Sequence, residues 1–177
     1  MAPGITFRTD SEVSRLDAEE VWPVYEAVFK DQPDLMTWRA EVWDKHTERT
    51  AFRIARAYED QRLVGFAYGF TGQRGQWWTD RALEVLPPDV GRAWLDGHFE
   101  LVSIGVLAQV RGRGIGRALL RRVTAGVAHE RWLLMTTSDP DDPARRMYDA
   151  EGWQVIGPGV GEGTVCMAKG TPRPPAI

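Results

Sequence analysis

One run of residues carries the densest chemical signal in the chain: Gln109-Val110-Arg111-Gly112-Arg113-Gly114-Ile115-Gly116-Arg117-Ala118-Leu119-Leu120. Glycines alternate with larger residues and lead into a segment where Ile115, Leu119, Val123 and Val127 fall four apart, the spacing of one helical face. Before the run, Leu101-Val102-Ser103-Ile104-Gly105-Val106-Leu107 reads as a buried strand. A strand that passes through such a turn into a helix aims the helix's unpaired first N–H groups, with their partial positive charge, at whatever lies over the turn. Glycine lets the backbone approach that occupant closely, so the turn can seat a phosphate. A plain glycine-rich connection has the same look. The charge favours the phosphate: Arg111, Arg113, Arg117, Arg121 and Arg122 fall within the stretch from Arg111 to Arg122, which has no acid.

Two phosphate-binding patterns are excluded. The dinucleotide fingerprint G-x-G-x-x-G fails in both frames, because Arg117 or Leu119 stands where the third glycine belongs. The P-loop fails because no Gly-Lys-Ser or Gly-Lys-Thr occurs. What remains, Arg111-x-x-Gly114-x-Gly116 between a strand and a helix, resembles the acyl-CoA pyrophosphate loop of the GNAT superfamily of N-acetyltransferases, Gln/Arg-x-x-Gly-x-Gly/Ala. A second stretch, Asp141-x-x-Ala144-x-x-Met147-Tyr148-x-x-x-Gly152-Trp153, resembles that family's other signature, Asn-x-x-Ala-x-x-Leu-Tyr-x-x-x-Gly-Phe. Met147 and Trp153 keep apolar bulk there, whereas Asp141 puts a carboxylate where the family has an amide. The resemblance covers nearly the whole chain, is most specific from Leu101 to Trp153 and is weakest before residue 50.

The resemblance implies acetyl-CoA held by Ile104, Gly105, Val106 and Leu107 at the strand end, by Arg111, Gly112, Arg113, Gly114, Ile115, Gly116 and Arg117 of the loop, and by Asp141, Ala144 and Tyr148. It implies direct acyl transfer to an amine in a ternary complex, where most of the gain is proximity and orientation. A backbone N–H near Val106 or Leu107 would donate to the developing oxyanion. Tyr148 would protonate the departing thiolate as general acid. An alkyl amine with a pKa of about 10.4 is neutral in only roughly one molecule in 2,500 at pH 7, so a base or water chain is useful. Many relatives carry a glutamate three residues before the valine that ends the strand. Here that position is Ser103, and Glu100, on the opposite face by alternation, is the base candidate, with a surface carboxylate at a strand end as the alternative. Asp80, Glu84 and Asp96 are no better placed by sequence.

The chain has 177 residues, 43% hydrophobic and 27% charged, with a net charge of -3, which suits one soluble globular domain. No basic patch lies outside the loop region, so a nucleic-acid acceptor is not expected. Cys166 stands alone, so neither an internal disulfide nor a cysteine metal cluster is expected, and His46, His98 and His129 share no metal-ligand spacing. No leader segment and no membrane span are read, and a cytoplasmic location with a possible homodimer is the expectation.

These residues must be positioned by a strand at Ile5–Arg8, a helix from Leu16 to Phe29 broken or kinked at Pro23, and a helical segment from Leu35 to Thr47. Strands at Thr50–Tyr58 and Leu63–Phe70 flank a turn at Glu59-Asp60-Gln61. Residues 71–98 read as an insertion over one end of the sheet. The central strand, the loop and a helix ending near Glu130 follow, then a strand at Trp132–Thr136. A helix over Pro143–Glu151 has Asp142 as N-cap and Gly152 at its end, and a hairpin spans Trp153–Ile156 and Thr164–Ala168. The expected fold is a single mixed α/β (α+β) domain, residues 1–170, with a central, mixed, mostly antiparallel sheet flanked by helices; residues 171–177 form a proline-rich, frayed tail. Trp22, Tyr25, Phe29, Trp38, Trp77 and Trp78 are candidates to line an acceptor pocket, against core packing for any single one. Two other readings stay open: a non-catalytic acyl-CoA sensor and a nucleotide-binding regulatory domain.

Overall fold

The computed structural model describes residues 4–175. Strand β1 (Ile5–Asp10) pairs antiparallel with β2 (Arg53–Glu59). Asp60 (φ 48°) and Gln61 (φ 66°) then turn β2 into β3 (Arg62–Gly72). Two left-handed residues in a two-residue connection match the twist of the strands they join. The remaining strands are β4 (His98–Val106), β5 (Arg131–Thr137), β6 (Gln154–Pro158) and β7 (Thr164–Gly170). Their order is β1-β2-β3-β4-β5-β7-β6, and of the pairs with a described register only β4–β5 is parallel. The sheet is therefore mixed and mostly antiparallel, as expected.

Contacts group the chain into two units, one of residues up to Phe70 with Val102–Ala125, the other of Thr71–Leu101 with the residues from Gly126 onward. In the first, α1 (Arg15–Phe29) buries Ala18, Val21, Val24 and Tyr25 on one face. Pro23 lies inside this helix, which continues to Phe29 instead of breaking there. An interior proline removes one backbone hydrogen bond and costs about 3 kcal/mol, which the apolar residues on either side of it offset by burial. After α2 (Leu35–Trp38), capped by the Asp34 carboxylate on the Thr37 N–H at 2.8 Å, one wide turn (Arg39–Trp43) leads to α3 (Asp44–Thr47). The extra residue of a π turn brings Trp38 and Trp43 onto a common buried side, with ring centroids 5.1 Å apart. They join Tyr25, Phe52, Phe66, Tyr68 and Phe70 in an aromatic core.

In the second unit, α4 (Trp77–Val85) and α5 (Pro88–Trp94) pack Ala82, Leu86 and Trp94 against Leu133 of β5 and Cys166 and Ala168 of β7. The segment expected to lie over one end of the sheet thus supplies a core layer to those strands. Helix α6 (Ile115–Thr124), in the first unit, ends well before Glu130, where the sequence suggested. Ala125 is extended and Gly126 has φ 72°, so Val127 drops out of the helical face. Helix α7 (Pro143–Ala150) is capped as expected: the Asp142 carboxylate accepts from the Ala144 N–H at 2.8 Å and the Arg145 N–H at 3.1 Å. Gly152 (φ 81°) closes it, with Trp153 N–H on the Tyr148 carbonyl at 3.0 Å. The expected frayed tail begins docked: Thr171 N–H donates to the Glu130 carbonyl at 2.9 Å and Arg173 N–H to the Ala93 carbonyl at 2.8 Å. Residues 176 and 177 of that tail lie outside the described residues. Among the described residues no helix is long and apolar enough to cross a membrane, and no group of His, Cys, Asp and Glu could hold a metal ion.

Candidate active site

The loop begins where β4 ends. Leu107 N–H donates to the Val64 carbonyl at 2.9 Å, which removes Leu107 as an oxyanion donor: its proton is already bound to β3. Strand N–H groups alternate in direction, so the N–H of Val106 points away from β3 and is the one of the two still suited to that role. The Val106 carbonyl accepts from Arg111 Nε at 2.9 Å. The side chain of Arg111 is thereby turned back onto the strand end, where it holds the Val106–Leu107 peptide, next along the chain from the one that carries the candidate donor. Gly105, one residue earlier, sits against Val28 and Phe29 of α1; a Cβ there would be 3.4 Å from either. Ile104 is half-buried.

A single 3-10 turn (Ala108–Val110) pins the chain through buried Val110, and the backbone then opens. Gly112 and Gly114 have φ 77° and 76°, and a Cβ at either would meet nothing within 4 Å. These conformations are costly for any residue with a side chain. Gly114 is the N-cap of α6 and has no side chain to satisfy the first N–H groups. Arg111 to Gly114 are exposed, while Ile115 is buried and fixes the helix start. Exposed backbone donors, no side chain over them and nearby guanidinium groups fit a pyrophosphate. The five arginines do not act alike. Arg113 pairs with Glu59 at 2.6 Å, and Arg122 lies 4.5 Å from the centre of the Phe7 ring. Glu59, at the end of β2, was invisible as a site residue in the sequence because nothing local links it to the loop.

In the second unit, Tyr148 is 4% exposed, with its ring edge-on to Trp153 at 6.2 Å. Burial, and then the negative charge of Asp142, push its phenol above the ordinary tyrosine range. The group is protonated at neutral pH, the state a general acid needs. Asp141, just before α7, and Ala144, in its first turn, are exposed, and Asp141 N–H donates to Asp139 Oδ1 at 2.9 Å. Glu100 is not a surface carboxylate at a strand end: it is 6% exposed, in register with Leu133. Its charge, after burial itself, helps push the Cys166 thiol up to about 12. Ser103 is buried.

The aromatic acceptor candidates divide. Trp38 and Tyr25 are buried core, 4.9 Å apart between ring centroids, and Trp22 packs on the same cluster. Trp78 packs on the second unit's core, while Phe29 is partly exposed and Trp77 is 67% exposed. Of the acids proposed as alternatives, Asp80 accepts from the Gly75 N–H at 2.9 Å, Glu84 pairs with Arg81 at 2.8 Å, and Asp96 accepts from the Arg74 N–H at 3.2 Å. Each holds local structure.

Residues 18–153, a span that runs through both units, match the model of the acetyltransferase (GNAT) family. Over 116 residues the chain is 34% identical to the GCN5-like protein acetyltransferase Rv2170 of Mycobacterium tuberculosis, a stretch that is 62% of this chain and 56% of that protein. The match thus spans little more than half of that relative's length. Among solved structures, an acetyltransferase from Thermus thermophilus superposes with a TM-score of 0.68 at 17% identity, covering 98% of this chain and 100% of that one. The PaiA N-acetyltransferase of Thermoplasma acidophilum, in complex with coenzyme A, gives 0.61 at 15% identity, covering 94% and 99%. At such identities these two share the fold.

Proposed function

Because the chain belongs to the acetyltransferase (GNAT) family, we propose that it transfers an acetyl group from acetyl-CoA to a primary amine of a small molecule or protein by direct attack. One observation carries the donor assignment: the open left-handed backbone at Gly112 and Gly114, leading into the uncapped start of α6. That backbone, with Gly116 and with Arg113 and Arg117 beside it, binds the pyrophosphate of the donor. Acetyl-CoA supplies the activated acyl thioester. The Val106 N–H stabilises the carbonyl oxygen as negative charge builds there, and Arg111 steadies the strand end by holding the carbonyl of the same residue, in the next peptide. Tyr148 delivers its proton to the departing sulfur. Its raised pKa suits it to give a proton and not to take one from the amine. Glu100 is the base candidate on β4, and Ser103, where many family members have glutamate, gives the amine no base at that position. That serine is what favours the second reading, an acyl-CoA sensor without turnover.

Release of free thiol from acetyl-CoA across a panel of amines tests the proposal. The protein's own thiol will not interfere, since Cys166 is fully buried and its thiol is pushed up to about 12. Amine-dependent thiol release is the expected result. Saturable stabilisation by CoA with no turnover on any amine would leave the sensor. Thermal stabilisation by ATP or NAD in place of CoA would overturn both.

A further inference from the structure

A cleft of about 300 Å³ in the second unit is lined by Gly97, Ala128, His129, Glu130 and Arg131. It shares no residue with the glycine loop, and nothing in the proposed transfer chemistry uses it. Its lining is unusual in what is left unsatisfied. Arg131 is only 9% exposed, yet its Nε has no hydrogen-bond partner among the described residues. The Nδ1 of His129 is buried and unpartnered in the same way, while its Nε2 is 2.8 Å from the Thr71 hydroxyl. If that hydroxyl donates to Nε2, Nδ1 holds the ring proton and is a second unused donor. A buried donor left unmade costs about 1–3 kcal/mol, so two in one cleft call for an acceptor.

The charge has the same sense. Gly97 (φ 80°) carries no side chain, and the point where a Cβ would stand is 3.8 Å from Arg173 Nη2 and 3.9 Å from Arg131 Nη2. Two guanidinium groups therefore converge on one bare stretch of backbone. Arg173 is held there by the carbonyls at the end of α5, Arg92 at 3.1 Å, Leu95 at 2.6 Å and Asp96. It cannot swing away without releasing them. The carboxylates within reach compensate only in part. Glu130 Oε2 is 3.9 Å from Arg131 Nη1 on a side chain 81% exposed, and Asp96 is shared with Arg74 at 3.8 Å. Desolvation and the charge of Arg173 both disfavour protonated Arg131, a cost that an anion would relieve.

We propose that this cleft is a second anion site, which takes a small oxyanion on the Arg131 guanidinium beside Gly97, with His129 as a further donor. A guanidinium fork accepts phosphate and carboxylate alike. With two cations converging, a phosphate dianion binds more tightly than a monoanionic carboxylate. Glu130, at the rim, competes with the ligand for Arg131.

Amide chemical shifts of the whole protein, titrated with inorganic phosphate or acetate at constant ionic strength set with chloride, test this. CoA is kept saturating so that the loop is not available to the probe. Saturable shifts at Gly97, His129 and Arg131, with a phosphate Kd at or below about 10 mM and weaker acetate binding, are expected. Arg131→Gln should abolish them. Glu130→Gln, an exposed change that leaves the fold intact, should tighten phosphate binding by about two- to fivefold, the range of an exposed ion pair. Arg131→Lys serves if the glutamine variant does not fold: it keeps the charge and loses the fork, and binding should weaken. Absence of saturable shifts at these three amides, or equal phosphate affinity in wild type and both Arg131 and Glu130 variants, overturns the proposal whether or not the protein turns over acetyl-CoA.

Discussion

In the glycine loop, Gly112 and Gly114 present bare backbone at positive φ on an exposed surface. In α7 the candidate group is a side chain, Tyr148, sunk to 4% exposure with its ring against Trp153. The first region depends on a conformation and the second on an environment. A loop that binds through N–H groups is damaged by anything that changes its torsions, even where space is ample. A buried phenol is damaged by loss of one atom, even where shape is kept. The two regions therefore fail differently, and substitutions can be chosen to show it.

The largest effect is expected from Tyr148→Phe. The ring stays to pack against Trp153, so CoA affinity and melting temperature should hold while kcat falls. General acid catalysis is worth ~10²–10⁴-fold, and water can replace part of it, so about a hundredfold loss is expected. Because burial raises the phenol's pKa, the wild-type acid stays protonated past the ordinary value of about 10, and the alkaline fall of kcat should begin above that pH. A folded variant with wild-type turnover would remove Tyr148 from the mechanism, and a lower melting temperature with intact turnover would make it a packing residue.

Next comes Gly114→Val. Forcing a β-branched residue to φ 76° costs at least about 1–2 kcal/mol, and the side chain projects from the bare face. CoA affinity measured by calorimetry should weaken at least about tenfold, roughly 1.4 kcal/mol, together with a drop in melting temperature. Unchanged CoA affinity would separate the loop from the donor site. Gly116→Ala sharpens the same point from the other side. Gly116 lies inside α6 without a positive φ, so alanine should leave the fold as stable or raise stability by up to about 1 kcal/mol.

Smaller effects belong to charge. Arg113→Ala and Arg117→Ala should each weaken CoA binding a few-fold and flatten its dependence on salt, because exposed charges act at range and are screened. Glu59→Gln should do the reverse, since it removes the carboxylate paired with Arg113. Identical salt slopes in all four proteins would assign the attraction to the backbone alone.

Acid stability compares the two units directly. Burial lowers His46, in the first, to about 4, and His98, in the second, to about 3. Both folded-state values lie below the unfolded value near 6.5, so the folded protein resists protons that the unfolded chain binds. Stability should be full above pH 6.5 and fall steadily as pH drops toward 4. A flat denaturation midpoint across pH 4–7 would contradict this.

Most of the strand and helix order was legible in the sequence because its signals are local. The spacing of Ile115, Leu119 and Val123, the caps at Asp142 and Gly152, and the turn at Asp60 and Gln61 each act within a few residues. The departures from the expected elements have both local and longer-range causes. Of the break or kink expected at Pro23, the break does not occur: burial of Val21, Val24 and Tyr25 carries α1 through it. Val127 reads as helical, but Gly126 stops the helix first. Of the aromatic pocket candidates, for each of which core packing is the favoured alternative, Trp38 and Tyr25 are core and Trp77 is exposed, a division that only the packing of the elements could reveal.

The family and the position of the candidate phosphate-binding turn were thus set by the sequence alone, since glycine torsions and a helix start need no distant partner. Tertiary structure decided which groups around that turn are already engaged. Leu107 gives its N–H to Val64, Arg111 turns back to Val106, and Arg113 meets Glu59 across more than fifty positions of chain. It also decided that Glu100 is buried and that burial raises the pKa of the Tyr148 phenol. Hydrogen bonding and desolvation depend on what folding brings within a few ångströms, and neither residue type nor spacing states that distance.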